Sequence, residues 1–222
     1  YDGGDVQFLT ALDPRTGKTL WKRDREVDYT GVSAEARKAF STPIRIEREG
    51  RAEIVASCAR ATMGYAPENG AELWRIAHPG FSMAARPVFA DGVLVFTTAF
   101  LRPGWWAVRP GPRPASEAPD AEDSRVLWRY RRGKTTMPSP VLHEGLFFGV
   151  DDQGTVSCLE LATGKELWHE RLLGPTCASA LLVGGRILFC DREGKSIVIE
   201  AGREPKILAE NHLDAGCYAS PL

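Results

Sequence analysis

A six-residue motif recurs along the chain and sets the spacing of its other features. Residues 163–168 read T-G-K-E-L-W, residues 16–21 read T-G-K-T-L-W, and residues 69–74 read N-G-A-E-L-W. Residues 124–128 form a fourth copy that lacks the glycine. The tryptophans of the four copies lie 53, 54 and 40 residues apart. A repeat of roughly 40–50 residues with short strands predicts an all-β chain folded as a β-propeller.

Each copy of the motif predicts the same piece of backbone. A β-rich run comes first, as in residues 6–13, 62–66 and 155–161. A tight turn follows, in which glycine supplies a positive φ, and Leu-Trp then begins the returning strand. We expect each tryptophan to pack as an apolar plate between neighbouring sheets. The residues given this structural role are Gly17, Trp21, Gly70, Trp74, Trp128, Gly164 and Trp168.

A second recurring signal predicts where each unit opens. Proline, or alanine in one copy, precedes an apolar run at residues 42–44, 86–88, 139–141, 179–181 and 220–222. Proline suits the first position of a strand, because no ladder donor is needed there. Turn dipeptides such as Asp91-Gly92 then predict a hairpin. Each unit is therefore a predicted blade of four antiparallel strands. Full blades are expected at residues 43–76, 87–130, 140–170 and 180–210, and partial ones at 1–23 and 217–222.

Three local expectations complete the predicted layout. Residues 1–222 form one propeller domain, an arc of a seven- or eight-bladed ring. Residues 24–42 are a long connector with one or two helical turns behind Ser33, and residues 109–123 are a mobile insertion loop rich in proline, alanine and acids. The acids of that loop do not have the spacing of a calcium loop. In the fourth blade, which lacks the tryptophan, we expect Leu208 to take its place.

Composition excludes some classes of partner. Lysine and arginine number 28 against 29 acids, which gives no electrostatic reason to expect nucleic acid. No apolar run reaches the roughly 18 residues that a membrane-spanning helix needs. The five cysteines form no Cys-x-x-Cys pair and are expected to be free, small apolar side chains. Cys177 and Cys217 occupy near-equivalent places before opening strands, which leaves one cross-blade pair open.

Residues 11–21 and 158–168 carry a resemblance to a known family. Both segments resemble the pyrroloquinoline-quinone (PQQ) repeat, and the resemblance covers essentially the whole chain. That repeat builds the eight-bladed propellers of quinoprotein alcohol dehydrogenases. It also builds the propeller-type lipoprotein of bacterial outer-membrane assembly, which binds no quinone. The resemblance therefore implies the fold and leaves the activity open.

Further segments are similar to PQQ-like repeat proteins of planctomycete-type bacteria. These segments are residues 5–7, 27–29, 60–65, 78–88, 136–140 and 210–214. In those proteins several more blades precede this segment, behind an export signal. The resemblance thus implies that the chain is a fragment and that it works in the periplasm or elsewhere in the cell envelope.

The residues offer little of what a quinoprotein dehydrogenase requires. Such an enzyme needs a tryptophan floor under the quinone, carboxylates on a calcium ion, an aspartate base and usually a vicinal cysteine pair. The vicinal pair is absent, and Asp151-Asp152 falls in a predicted hairpin turn. Trp105-Trp106 lies outside the repeat slot, with one ring expected on each face of its strand. No two histidines have metal-ligand spacing. We therefore expect no catalytic residue, metal or cofactor, with PQQ and calcium as the alternative.

The connectors before the opening strands predict a binding rim. In propellers such connectors converge at one end of the central channel, and here they carry cations and hydroxyls suited to a small anionic ligand or a peptide carboxylate. In the competing interpretation the same side chains satisfy backbone groups near the axis. The candidate residues are Arg60, His78, Ser82, Arg86, Lys134, Thr136, Ser139 and His212.

Two functions follow from these observations. The first is a non-catalytic binding or scaffold module of the bacterial cell envelope, whose partner is another envelope protein or a small anionic ligand. The second is a PQQ- and calcium-dependent oxidoreductase of the alcohol dehydrogenase type, with cofactor ligands in blades outside this segment. Fold alone does not decide between them.

Overall fold

The computed structural model of the protein describes residues 1–118, 120–133 and 135–221. Nearly all of its regular structure is β-strand. One 3₁₀ turn, Glu35–Arg37, lies in the connector of residues 24–42, where helical turns were predicted behind Ser33. The turn begins after Ala34, and no side chain caps it.

Five antiparallel sheets follow one another along the chain, and within each sheet the strands pair in chain order. A half-blade comes first, with β1 (Phe8–Leu12) and β2 (Thr19–Asp24). The first blade contains β3 (Ile44–Arg48), β4 (Arg51–Cys58), β5 (Ala61–Tyr65) and β6 (Glu72–Ala77). The second contains β7 (Val88–Ala90), β8 (Val93–Thr97), β9 (Trp105–Val108) and β10 (Val126–Tyr130).

The remaining two blades repeat this plan. The third contains β11 (Val141–His143), β12 (Leu146–Val150), β13 (Thr155–Glu160) and β14 (Glu166–Arg171). The fourth contains β15 (Leu181–Val183), β16 (Arg186–Cys190), β17 (Lys195–Glu200) and β18 (Ile207–His212). The predicted all-β propeller with four full blades is confirmed. Residues 217–221 contain no strand, and Leu222, where the next opening strand would begin, lies outside the described residues.

The first two strands of every blade are joined by the same tight turn. Both central residues have positive φ in all four blades: 52° and 73°, 51° and 75°, 45° and 73°, and 54° and 72°. This is the signature of a type I′ turn, whose twist matches that of the flanking strands. The residues concerned are Glu49-Gly50, Asp91-Gly92, Glu144-Gly145 and Gly184-Gly185.

The last two strands of every sheet share one bulge. In each case the pairing skips the leucine of the Leu-Trp motif and resumes at the next residue. In the fourth blade Leu208 is the skipped residue, and Ala209 pairs with Val198 where the other blades have tryptophan. The prediction that Leu208 takes the tryptophan's place was therefore wrong, because the register keeps Leu208 in the leucine position.

The hydrophobic core consists of layers between adjacent sheets, and the repeat tryptophans pack in these layers. The Trp21 ring donates its Nε1–H to the Pro67 carbonyl of the next sheet at 2.8 Å. Trp128 donates to Leu161 in the same way, at 2.8 Å. The prediction of an apolar plate between sheets is confirmed for these rings.

Trp74 packs differently, because the blade after it has the insertion of residues 109–123 in place of the Thr-Gly turn. Its Nε1–H donates to the Glu53 carboxylate at 2.7 Å. Glu53 is buried and also forms an ion pair with Arg48 at 2.7 Å. A buried carboxylate on the same sheet thus replaces the carbonyl that the next blade supplies elsewhere.

Antiparallel pairing in a constant strand order gives the propeller two different ends. The connector end carries the connectors between blades (78–87, 131–140, 172–180 and 213–221) and the turns between second and third strands. The hairpin end carries the type I′ turns, the Thr-Gly turns and the insertion of residues 109–123. Within the insertion, Arg113 pairs with Glu117 at 2.5 Å. The predicted mobility of this loop stays a prediction.

Candidate binding face

The opening strands β3, β7 and β11, with Leu182 of β15, line an axial cleft of about 610 Å³. Most of its walls are apolar, and its charged residues are Arg45, Glu47 and Arg86. Arg45 and Glu47 form an ion pair with each other. Arg86 is exposed and forms no ion pair within the described part of the chain. Of the predicted rim residues, Arg86 is the one that lines this cleft.

Serine hydroxyls link successive blades at the start of the opening strands. The Arg86 N–H donates to Ser139 Oγ at 2.9 Å. The Ser139 N–H donates in turn to Ser179 Oγ at 3.0 Å. The Ser179 N–H donates to Ser220 Oγ, also at 3.0 Å. We call this chain of bonds the serine ladder. It gives the predicted site residue Ser139 a structural task, as the competing interpretation expected.

Thr136 is also hydrogen-bonded to neighbouring connectors and turns. Its N–H and its hydroxyl both donate to the Asp152 carboxylate, at 2.9 and 2.7 Å. Its carbonyl accepts the N–H groups of Ala84 and Ala85 at 2.9 and 3.2 Å. Asp152 lies in the turn between β12 and β13, as predicted. Thr136 therefore joins two connectors and one turn, and its side chain is buried.

Arg60 and Ser82 lie on the connector end but away from the ladder. Both have left-handed backbones, with φ of 70° and 58°. The Arg60 N–H donates to the Gly80 carbonyl at 2.8 Å, and the Ser82 N–H donates to Lys38 at 2.7 Å. The Arg60 side chain is exposed. It lowers the pKa of Asp28, as a lesser contribution behind the hydrogen bonds from Thr30.

His78 lies in the core and not on the rim. Its side chain is 5% exposed, and its ring packs against Phe96 and Trp106 with centroids 5.3 and 6.2 Å away. The Gly80 N–H donates to Nδ1 at 3.2 Å, so the ring carries its proton on Nε2, 3.2 Å from the Thr62 hydroxyl. Burial lowers the pKa of His78 to about 3. The rim placement is therefore corrected: the neutral ring fills the layer between two blades.

The other two predicted residues do not join this group. His212 is exposed at the end of β18, the outermost strand of the fourth blade. Lys134 lies outside the described residues. The structure thus brings Arg86, Thr136 and Ser139 together near the opening strands and leaves Arg60 and Ser82 further out on the same end.

An apolar patch on the connector end was not predicted. Phe40 and Leu101 are 61% and 62% exposed, and Met137 is 39% exposed. The Phe81 and Phe100 rings stack beside Leu101, with centroids 5.3 Å apart. We call Phe40, Phe81, Phe100, Leu101 and Met137 the apolar patch. Leu101 and Phe100 belong to the long turn between β8 and β9, which has no counterpart of its length in the other blades.

A cationic cleft of about 290 Å³ begins at Arg102, the residue after Leu101 of the apolar patch. Its lining residues are Pro79, Arg102, Trp106, Glu122, Arg129 and Arg131. The Arg129 guanidinium lies 4.4 Å from the Trp106 ring centroid and pairs with Glu122. Arg102 and Arg131 form no ion pair with any described residue. The sequence signal that could have located this cleft is the non-repeating segment 98–104, in which aromatic and leucine side chains precede an arginine.

Trp105 and Trp106 lie on opposite faces of β9, as predicted. Trp105 is buried against Phe147 of the third blade, with centroids 5.2 Å apart. Trp106 is half-buried and faces the first blade and the cationic cleft. Of these two rings, Trp106 is the one placed to contact a ligand.

The described side chains do not fit a calcium-bound quinone. Among residues 1–118, 120–133 and 135–221, no three or more histidine, cysteine or acidic side chains are grouped as a metal site. Asp151 and Asp191, which point into the turns of the connector end, accept N–H groups of their own turns at 2.9 Å. These carboxylates already accept hydrogen bonds from the backbone. We therefore propose no reaction step that involves a quinone.

In the part of the chain that the structure describes, no helix has the length and apolar character to cross a membrane.

Comparison with known proteins agrees with this architecture. The family model described as outer membrane protein assembly factor BamB matches residues 5–138 and 115–203. The crystal structure of BamB from Moraxella catarrhalis is similar, with a TM-score of 0.69 and 14% identity over 97% of this chain. The chain spans 61% of that protein. No curated protein sequence matches the chain.

Two further solved structures share the fold. The computationally designed protein Ika8 has a TM-score of 0.66 and 13% identity, over 98% of this chain and 60% of its own. Quinohemoprotein alcohol dehydrogenase from Comamonas testosteroni has a TM-score of 0.60 and 12% identity, over 93% of this chain and 40% of its own. At such identities these likenesses describe the fold alone. The family match spans most of the sequence, and the chain therefore belongs to the BamB family of outer membrane protein assembly factors, as a PQQ-like repeat β-propeller.

Proposed function

We propose that the chain is a non-catalytic binding or scaffold module of the bacterial cell envelope, which docks another envelope protein on its connector end. The observation that carries this proposal is the apolar patch beside the cationic cleft. Membership of the BamB family supports the envelope location and the scaffold role.

The apolar patch has the character of an interface core. Soluble proteins rarely leave several large apolar side chains exposed side by side, because each costs free energy in water. Leu101 and Phe40 each expose more than half of their surface here. Aromatic, methionine and arginine side chains are also enriched where proteins bind proteins. A partner that covers the patch would remove this apolar area from water.

The charge around the patch indicates the chemistry of the partner. Arg60, Arg86, Arg102 and Arg131 are exposed on the connector end and form no ion pair with described residues. An arginine guanidinium binds carboxylates through paired hydrogen bonds. We therefore propose a protein segment with apolar side chains flanked by aspartate or glutamate. A small anion alone would satisfy the arginines but would leave the patch in water.

The backbone of the β8–β9 turn is consistent with a binding role. Ala99, Leu101 and Arg102 have φ of 49°, 59° and 66°, although none is glycine. Each left-handed residue of this kind costs about 1 kcal/mol or more. Such conformations cluster at functional sites. Here they hold Leu101 and Arg102 outward.

Photo-crosslinking in the native host tests the proposal. A photoreactive phenylalanine analogue is placed at Leu101 and, as a matched control, at Val183, which is 63% exposed on the hairpin end. We expect one discrete adduct from position 101, identified by mass spectrometry as an envelope protein, and none from position 183. Charge reversal by Arg102→Glu and Arg131→Glu should reduce that adduct at least tenfold.

A second control separates charge at this face from charge in general. Arg186→Glu changes an exposed arginine of β16 on the hairpin end and should leave the adduct unchanged. Equal adducts from positions 101 and 183, or no adduct from position 101, would contradict docking on the connector end. Fractionation of the host cells tests the location, which we expect to be the periplasm or the membrane-associated envelope fraction.

A further inference from the structure

Two cysteines from different elements meet at the connector end of the fourth blade. Cys190 is the last residue of β16 and is 6% exposed. Cys217 lies in the connector after β18 and is half-buried. The Cys217 N–H donates to the Asp191 carbonyl at 3.0 Å, which places Cys217 beside the residue that follows Cys190.

The two thiols are neighbours. The Cys217 S–H donates to the Ala219 carbonyl at 3.2 Å, and the Cys217 thiol lies close enough to Cys190 to act on its pKa. Burial, first, and this neighbouring thiol, second, raise the pKa of Cys190 to about 11. Cys177 has a different partner, since its thiol donates to the Tyr218 carbonyl at 3.5 Å. The cross-blade pair left open by the sequence was Cys177 with Cys217. All three thiols are free in the structure, and the Cys217 backbone lies beside the residue that follows Cys190.

We propose that Cys190 and Cys217 are a site of disulfide formation, which ties the connector of residues 213–221 to the fourth blade. A disulfide requires two cysteine backbones roughly 5–6 Å apart. The hydrogen bond from the Cys217 N–H to the Asp191 carbonyl places the Cys217 backbone next to the residue that follows Cys190. The connector and β18 are largely exposed, so the bond would constrain a segment that few buried contacts hold. This inference does not depend on the proposed function.

The exposure of the two thiols sets the order of the reaction with a disulfide oxidant such as oxidised glutathione. The half-exposed Cys217 thiolate attacks the oxidant and releases one glutathione thiol, leaving a mixed disulfide. The Cys190 thiolate then attacks Cys217 Sγ and releases the second glutathione. Two protein thiols and one oxidised glutathione become one protein disulfide and two glutathione thiols.

The high pKa of Cys190 predicts how the closing step depends on pH. The thiolate is the attacking species, and its fraction rises about tenfold for each pH unit below the thiol's pKa. Closure should therefore accelerate by about this factor per unit between pH 7 and pH 9, measured from the decay of the mixed disulfide.

Peptide mapping tests the site directly, because each cysteine falls in a different tryptic peptide. Cys190 lies in residues 187–192, Cys217 in 207–222 and Cys177 in 172–186. The folded chain is incubated with oxidised glutathione, alkylated, digested and analysed without reduction. We expect a linked species of peptides 187–192 and 207–222. A link between 172–186 and 207–222, or complete alkylation of Cys190 and Cys217, overturns the proposal.

Melting temperatures give a second measurement on the same samples. Oxidised chain should melt roughly 5–10 °C above reduced chain, which is the size expected for a bond that closes a loop of this length. Cys217→Ser should abolish the difference, and Cys177→Ser should preserve it. If Cys190→Ser fails to fold, the mapping of the unmodified chain still decides. Unchanged melting together with an unlinked map would count against the bond.

Discussion

Gly70 and Gly164 of the repeated motif each meet two requirements in the same place, whereas Gly17 meets only the requirement of its turn. Gly164 has a φ of 71°, which closes its turn. A Cβ at this position would also lie 2.5 Å from Cγ of Trp128 in the preceding blade. Gly70 has the same relation to the Trp21 ring, again at 2.5 Å. The motif thus unites a turn and a docking surface for the neighbouring tryptophan.

Gly164→Ala should destabilise the chain more than Gly145→Ala, a substitution at a glycine that has a similar φ and no close neighbours. Gly145 has a φ of 73° and nothing within 4 Å of its ideal Cβ. We expect Gly145→Ala to destabilise by about 1 kcal/mol, because alanine disfavours positive φ. Gly164→Ala should lose about 1–3 kcal/mol more from the clash with Trp128. Urea unfolding measures both, and equal losses would refute the packing role.

His78 makes stability depend on pH in a defined direction. Its pKa is lowered to about 3, whereas a histidine in the unfolded chain has one near 6.5. The unfolded state therefore takes up a proton first, and the stabilisation present above pH 6.5 is lost as pH falls toward 3. Between pH 6.5 and 5 the free energy of unfolding of the wild type should fall by about 2 kcal/mol more than that of His78→Gln.

Urea unfolding at several pH values checks this difference. His143→Gln, on the half-exposed strand β11, is the matched control and should follow the wild type. Parallel pH curves for wild type and His78→Gln would show that the ring is not the group that couples folding to protons here.

At the scale of residues the sequence predicted the structural glycines and tryptophans well and the residues of the binding rim poorly. The motif specifies glycine and tryptophan positions because local turn geometry and blade packing demand them. His78 was misplaced, because its neighbours Phe96 and Trp106 come from the next blade. No local pattern records such a contact. The thiol pair of Cys190 and Cys217 was missed for the same reason.

Among the structural elements, the connectors perform much of the joining between blades. The serine ladder runs from Arg86 to Ser220 and ties the start of each opening strand to the next. Opening strands β7, β11 and β15 have only three residues each, so they make few ladder bonds of their own. Side-chain hydroxyls compensate for this shortness.

Ser179→Ala should destabilise the chain by about 1–3 kcal/mol, because it leaves the Ser139 N–H without its acceptor. Ser179→Thr keeps the hydroxyl and should restore most of the loss. The control is Ser116→Ala, an exposed position in the insertion, which should change stability by under about 0.5 kcal/mol. Thermal unfolding of the variants gives the values. A neutral Ser179→Ala would mean that water replaces the hydroxyl without cost.

The outermost strand of the fourth blade should exchange its amide protons before its counterpart in the third. All six residues of β18 are exposed, whereas β14 buries Trp168 and half-buries its neighbours. Local opening is easier where few buried contacts hold a strand. Hydrogen exchange followed by mass spectrometry compares the two strands, and faster exchange in β14 would contradict the expectation.

The long β8–β9 turn marks the limit of repeat-based prediction for elements. The repeat predicts four strands and a type I′ turn in every blade, and these were found. The turn of residues 98–104 follows no repeat, so neither its left-handed residues nor the apolar patch could be placed in advance. The features that support a binding role are therefore those in which one blade departs from the others.

For the molecule as a whole, the scaffold and the quinoprotein interpretations predict different responses to cofactor. Quinone with calcium should leave tryptophan fluorescence unchanged at micromolar concentrations, because the repeat tryptophans pack between blades and the described carboxylates form no metal site. A quinoprotein dehydrogenase titrated in parallel is the positive control. Saturable, calcium-dependent quenching near one equivalent would favour the oxidoreductase.

The serine ladder also bears on how a chain of this kind can change in length. Donor and acceptor occupy the same position of successive units, with Ser139 and Ser179 each serving as both. Duplicating or deleting a whole unit between them would leave each N–H donor of the ladder with a serine acceptor. The second blade is the exception, because Arg86 gives a hydrogen bond but has no hydroxyl to receive one. We therefore expect unequal crossing-over to preserve the ladder after Arg86, where donor and acceptor positions match from unit to unit.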